Sequence, residues 1–248
     1  EMSASLVGSE MCIRDREDLV KYAFALFLNH DFEKSLEVAN MGLQKNAHHA
    51  AFNRLAMYNY TDLKRFDEAL KAADVFFKEC DKADYSYLDY MYYGHLLESL
   101  KKYDDAVIQY EKAVKMDPTK TDLYKNISSA YEQKNDYKKA ISAYQKYYSS
   151  LDKEKQTPDL QFQFGRLYYG AGTQPDSLTI TVEERKQALA SADSVFQAIA
   201  VAAPDSYLGN FWRARANSAL DPETTLGLAK PFYEEAVSYT HLTLPTNS

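Results

Sequence analysis

Tyr87 to Lys120 reads YLDYMYYGHLLESLKKYDDAVIQYEKAVKMDPTK, and Thr121 to Glu154 reads TDLYKNISSAYEQKNDYKKAISAYQKYYSSLDKE. At an offset of 34 residues, Tyr90 falls on Tyr124, Gly94 on Ser128, Leu97 on Tyr131, Ala106 on Ala140 and Tyr110 on Tyr144. Within each stretch the apolar and small residues recur at helical spacing. Pro118, which lacks a backbone N–H, marks a helix end. Each stretch is therefore two helices joined by a turn. One such hairpin cannot bury its apolar face alone, so several must stack, each touching its neighbours. The spacing predicts an all-α chain.

This pattern resembles the tetratricopeptide repeat. In that family the first helix carries a large residue at position 4, a small one at 8 and another large one at 11. The second helix carries alanine at 20, an aromatic at 24, alanine at 27 and often proline at 32. The small residues let the helices approach closely, and the aromatic fills the space beside the crossing. The third repeat matches at Tyr90, Gly94, Leu97, Ala106, Tyr110, Ala113 and Pro118. The fourth keeps Tyr124, Ser128, Tyr131, Ala140 and Tyr144, with Tyr147 where alanine is usual. The resemblance implies a right-handed superhelical solenoid of about six antiparallel helix pairs, with a concave face for ligands.

The remaining repeats are more degenerate. The first is centred on Phe32-Glu33-Lys34-Ser35, with Ala23 as its small residue and Leu26 at position 11. The second is centred on Phe66-Asp67-Glu68-Ala69, with Tyr60 and Phe76, and extra residues near Asp81 to Tyr85 separate it from the third. The fifth has Phe164, Gly165 and Tyr168 in its first helix and Ala192, Phe196, Ile199 and Pro204 in its second. Between them, 170–181 reads as a loop rich in glycine, proline and polar residues. Thr181 and Glu184 form a T-x-x-E capping box that starts the second helix. The sixth has Trp212, Ala214, Ala229, Tyr233 and Ala236, and Asp221-Pro222 suits a helix N-cap followed by a first-turn proline. Repeat boundaries fall near 17–50, 51–84, 85–120, 121–155, 158–205 and 206–236, the last truncated.

Both ends resemble translated DNA. Met11-Cys12-Ile13-Arg14-Asp15 is what ATG TGT ATA AGA GAC encodes, and Val237-Ser238-Tyr239-Thr240-His241 is what GTC TCT TAT ACA CAT encodes. These look like the arms of a transposase sequencing adapter. We expect 1–16 to be an artefactual leader and 237–248 an artefactual tail. The native segment is then 17–236, roughly 220 residues open at both ends. Any membrane anchor or further domain beyond them is left open.

The net charge of −7 is mildly acidic and argues against a nucleic-acid surface. Of the two cysteines, Cys12 lies in the leader, so neither an intramolecular disulfide nor a Cys-rich metal site is expected. No apolar run reaches the roughly 20 residues that span a bilayer. Gly170-Ala171-Gly172 is too short for a phosphate loop and reads as a helix end. His48-His49 is adjacent, so the rings diverge and do not make a zinc pair. Asp67-Glu68, Asp104-Asp105 and Glu183-Glu184 fall in first turns of second helices, where they complement the helix dipole. We expect no catalytic residues, no metal and no cofactor. Asn59-Tyr60-Thr61 and Asn126-Ile127-Ser128 satisfy the glycosylation sequon but fall inside helices.

The family's concave positions 2, 5, 9, 12 and 13 carry over as candidate partner-binding residues. They include Arg54 and Tyr58 in the second repeat, Met91 and His95 in the third, and Lys125 and Ser129 in the fourth. The fifth adds Phe162, Arg166 and Tyr169, and the sixth adds Phe211 and Arg215. This polar set with aromatic insets suits an extended peptide or a partner protein. The family's carboxylate clamp uses lysine and asparagine, and Ser129 stands where the asparagine would. Arg166 and Arg215 could hold an acidic group bidentately.

The resemblance implies a non-enzymatic interaction scaffold. Two rival readings are a sensory or regulatory segment of a larger signalling protein and part of a surface nutrient-binding lipoprotein. Leu226 to Tyr233 and Gln174-Pro175-Asp176-Ser177-Leu178 resemble exported tetratricopeptide proteins of gram-negative gut bacteria, which favours the periplasm slightly over the cytoplasm. Asp176-Ser177-Leu178 also resembles a short O-glycosylation pattern of such bacteria.

Overall fold

A computed structural model describes residues 16–80, 84–175 and 180–243. The leader, most of the extra residues near Asp81, the Asp176-Ser177-Leu178 pattern and the last five residues lie outside the described part. All regular structure in the described residues is helical. Twelve α-helices follow one another: α1 Arg16–Leu28, α2 Phe32–Lys45, α3 Ala50–Asp62, α4 Phe66–Lys78, α5 Tyr87–Ser99, α6 Tyr103–Met116, α7 Leu123–Gln133, α8 Tyr137–Ser150, α9 Pro158–Gly172, α10 Val182–Ala202, α11 Leu208–Leu220 and α12 Lys230–Thr243. They form antiparallel pairs, α1 with α2 through α11 with α12. The chain divides into two compact units, residues 1–120 with three pairs and residues 121–248 with three.

The repeat is written in the backbone of the turns. In the first four pairs the residue that closes the first helix is left-handed: His30 at φ 60°, Lys64, Lys101 and Asn135 each at 59°. The next residue donates its N–H back five positions, Asp31 to Leu26, Arg65 to Tyr60, Lys102 to Leu97 and Asp136 to Tyr131. This satisfies carbonyls that a helix end leaves orphaned and reverses the chain within three residues. None of the four is glycine, so each carries a side chain through a backbone region that favours glycine.

Small residues set the helix crossings. A Cβ on Gly94 of α5 would come 2.5 Å from the Tyr110 ring of α6, and one on Gly165 of α9 would come 2.6 Å from the Phe196 ring of α10. Positions 8 and 24 therefore form one unit in which the aromatic fills the notch of the glycine. Where serine replaces the small residue, it bonds across the crossing. Ser35 Oγ donates to the Ala23 carbonyl at 2.8 Å, and Ser128 Oγ donates to the Ala140 carbonyl at 2.8 Å. The serine sits on the second helix in one case and on the first in the other, so the same contact is made from opposite sides. Ala106, Ala113, Ala140 and Ala192 are fully buried, as is Tyr110, and Tyr144 nearly so. α6 ends at Met116 before Pro118, and α10 ends at Ala202 before Pro204.

Several local expectations need correction. The loop of the fifth pair begins at Thr173, because α9 runs on to Gly172. Its two glycines serve close packing: Gly170 lies against the Tyr137 ring and Gly172 against Leu189. The far end of that loop agrees with the sequence, since the Glu184 N–H donates to Thr181 Oγ1 and the Thr181 N–H donates to the Glu184 carboxylate. Asp221 is not a helix N-cap. It follows α11, and its carboxylate accepts the N–H groups of Thr225, Leu226 and Gly227, holding a loop that ends where α12 starts at Lys230. Ala229 thus precedes the helix, and Tyr233 is 40% exposed and fills no notch. Asn59, the first sequon asparagine, is fully buried and donates to Ser35 Oγ at 2.8 Å.

Candidate functional site

The predicted groove residues divide by unit. In the first unit they are used to tie the pairs together. Asp89, on the first turn of α5, is fully buried. Its carboxylate accepts from Arg54 Nε at 2.7 Å, Tyr58 OH at 2.6 Å and the Ser86 N–H at 2.6 Å. Arg54 also donates to the Asp84 carbonyl. Tyr58 is buried under Tyr92, with ring centroids 4.2 Å apart. Burial first, then the neighbouring Asp89 charge, pushes the Tyr58 hydroxyl well above its ordinary range. Buried Tyr58 is therefore a correction to the sequence reading; its hydroxyl and the Arg54 guanidinium lock the second pair to the third, while the Arg54 side chain stays 28% exposed.

His95 is also drawn inward. Its Nδ1 lies 3.2 Å from the Tyr110 hydroxyl, which donates to the Glu98 carboxylate at 2.7 Å. Burial holds the His95 pKa below its ordinary value. Nearby, the Asp62 carboxylate accepts from Tyr92 OH at 3.0 Å, and burial raises its pKa. Met91 is half-buried on the same helix.

In the second unit the first helices of the pairs build a connected strip. Lys125, Ser129 and Glu132 are spaced i, i+4, i+7 on α7, and Phe162, Arg166 and Tyr169 have the same spacing on α9, so each set shares one helix face. Arg166 reaches back to Glu132 at 3.2 Å and also takes Gln163 Oε1 at 2.9 Å. Phe162 and Tyr169 each meet the Trp212 indole of α11 edge-on, with centroids 5.4 Å apart in both cases. Phe211 packs beside Trp212. The Arg215 guanidinium lies over Trp212 at 4.5 Å and over Tyr169 at 5.2 Å. Lys125 and Arg166 are exposed, and Phe162, Tyr169, Phe211, Trp212 and Arg215 are half-exposed. Cations and aromatic faces thus alternate along one strip of an acidic chain.

Sequence reasoning placed Trp212 in the sixth pair without seeing it as the hub of this strip. The available signal was its i+3 spacing to Arg215, which puts indole and guanidinium on one side of α11. Among the described residues no group of three or more His, Cys, Asp or Glu is placed to hold a metal ion. No described helix is long and apolar enough to cross a membrane. A hollow of about 830 Å³ elsewhere in the second unit, lined by Tyr137, Ile141, Tyr168, Gln174 and Glu184, includes none of the predicted groove residues.

Residues 90–120 and 121–150 match the tetratricopeptide repeat family model. The C-terminal part of a tetratricopeptide-repeat protein from Cytophaga hutchinsonii is 29% identical, with 89% of this chain and 78% of that one aligned at a TM-score of 0.65. The chain has a tetratricopeptide-repeat fold. PilF of Pseudomonas aeruginosa aligns over 90% of this chain and 88% of its own at 12% identity and a TM-score of 0.55. YrrB, described as a tetratricopeptide protein with an unusual peptide-binding site, aligns over 80% and 96% at 15% identity and a TM-score of 0.56. No curated protein matches the chain. The tetratricopeptide reading explains why the matched stretch coincides with the third and fourth pairs, where the small and aromatic positions are most regular.

Proposed function

We propose that this tetratricopeptide chain is a non-enzymatic interaction module. It binds a peptide or an extended segment of a partner protein along the first-helix strip of the second unit. The observation that carries this reading is the stitched row from Glu132 through Arg166 and Tyr169 to Trp212 and Arg215. Its aromatic faces and cationic donors stay partly open to solvent, whereas the equivalent side chains of the first unit are spent on one another. Half-exposed aromatic and arginine side chains are the residue types that carry binding energy at protein interfaces. An extended chain offers alternating side chains and free backbone groups, which suits such a strip. YrrB, a structural neighbour, is described as having a peptide-binding site.

The test is site-specific photo-cross-linking. A random-peptide display library is panned on the full chain, and the enriched peptides are exposed to variants carrying a photo-reactive residue at Lys125 or at Lys186 on α10. The reading expects cross-links from position 125 and few from position 186. Failure to enrich any peptide, or cross-links mainly from position 186, would overturn it.

A further inference from the structure

We infer that Arg215 is a reader of acidic side chains: its guanidinium receives an aspartate or glutamate carboxylate of the bound peptide, and the aromatic faces around it receive that residue's apolar neighbour. This rests on the proposed peptide-binding strip and names the chemistry that the strip selects.

Three observations carry it. First, Arg215 differs from four other arginines, Arg54, Arg65, Arg166 and Arg213, which each have a carboxylate oxygen at 2.7, 2.8, 3.2 and 3.1 Å. Among the described residues no carboxylate lies within ion-pair distance of Arg215, whose recorded contacts are the rings of Tyr169 and Trp212. The contrast with Arg213 is sharpest. Two positions earlier, and so on another side of α11, Arg213 is bonded to Asp193 and lies over Phe232.

Second, the group is held in place. The Tyr169 and Trp212 rings cross at 88°, so the guanidinium can lay its flat face on only one of them. The rings hold the cation, and the N–H donors at its edge that meet no ring stay available. That leaves a planar fork matched to a carboxylate, which takes two parallel N–H bonds. Less side-chain entropy remains to be lost when the partner arrives.

Third, the surroundings can seat an apolar neighbour of the acidic residue. Beside Arg215 stand Trp212, Tyr169 and Phe162, all half-exposed. A peptide residue flanked by an aromatic or aliphatic neighbour can place its carboxylate on the guanidinium and its neighbour on these rings. The next cation along the strip, Arg166, is already engaged by Glu132.

The experiment uses peptides displayed internally, so that none has a free C-terminus, panned on the wild-type chain. The enriched sequences should carry Asp or Glu next to an aromatic or aliphatic residue. The leading sequence is then made acetylated and amidated, in its acidic form and with Glu→Gln or Asp→Asn. Wild type should bind the neutral form about tenfold more weakly, and Arg215→Gln should bind the two forms within about twofold of each other. Arg215→Lys, which keeps the charge but not the planar fork, should restore only part of the difference. If wild type binds both forms equally while still cross-linking from position 125, the strip stands and the acidic preference falls. If no peptide is enriched, both fall. If the neutral peptide regains full affinity when given a free C-terminal carboxylate, the selected group is a terminus and the inference is overturned. Should Arg215→Gln lose its helical circular dichroism, the comparison of the two forms on wild type decides alone.

Discussion

Asp89 shows how a single side chain can redirect a face that the sequence assigns to a ligand. Its two carboxylate oxygens collect donors from Arg54, Tyr58 and Ser86, with no exposure to water. An ionised group buried this deeply is tolerable because every strong acceptor direction is used. Removing the charge leaves the donors facing a group that cannot serve them all. Asp89→Asn places an amide N–H₂ opposite N–H donors, and the expected loss is about 3 kcal/mol of unfolding free energy, since breaking a buried pair costs more than the pair contributes. Tyr58→Phe removes one hydrogen bond and should cost only about 1 kcal/mol. Urea unfolding of both variants checks the pair; equal, small losses would show that the carboxylate is not the anchor. The sequence reading passed over the S-x-x-D spacing of Ser86 and Asp89, which is a helix-start signal. The contacts to Arg54 and Tyr58 were not legible, because they join residues more than thirty positions apart and depend on how two pairs stack.

At the level of the helix pair, the sequence was most informative where packing leaves least freedom. Gly94 and Gly165 are both notches beneath an aromatic ring, and the period carried that relation directly. Gly94→Ala tests it against helix propensity. Alanine favours an exposed helix by about 1 kcal/mol over glycine, while forcing a methyl into a filled site costs about 1–3 kcal/mol. With the Tyr110 ring 2.5 Å from the new Cβ position, the steric term should win, and thermal unfolding should move down. The double variant Gly94→Ala/Tyr110→Leu should then be less destabilised than the sum of its parts. A rise in stability for Gly94→Ala alone would contradict the notch. Where a pair departs from the period, prediction weakened for identifiable reasons. Gly170 and Gly172 were read both as a helix end and as the start of the loop; the helix does end at Gly172, and both glycines serve close approach, to Tyr137 and Leu189. Asp221 looked like a cap because it precedes proline, yet its carboxylate closes on Thr225, Leu226 and Gly227, which are too near in sequence to distinguish a loop from a first helical turn.

Across the chain, the helical class and the six pairs were legible because the repeat is one-dimensional, so that local spacing stands in for tertiary contact. The binding face was legible only in part. The family positions found Arg166, Tyr169 and Arg215, but which of these side chains remain open is decided by partners on other helices. Asp89 uses up Arg54 and Tyr58, whereas no described carboxylate meets Arg215. Trp212 is the only tryptophan, and it sits in the middle of the strip, touching Phe162, Tyr169 and Arg215. Its emission therefore reports on the site with no label attached. The most direct measurement is a fluorescence titration of the wild-type chain with an enriched peptide, with binding followed in parallel by the anisotropy of a dye on the peptide. The account predicts that the Trp212 emission shifts and saturates at the same peptide concentration as the anisotropy; full binding with the Trp212 spectrum unchanged would contradict it.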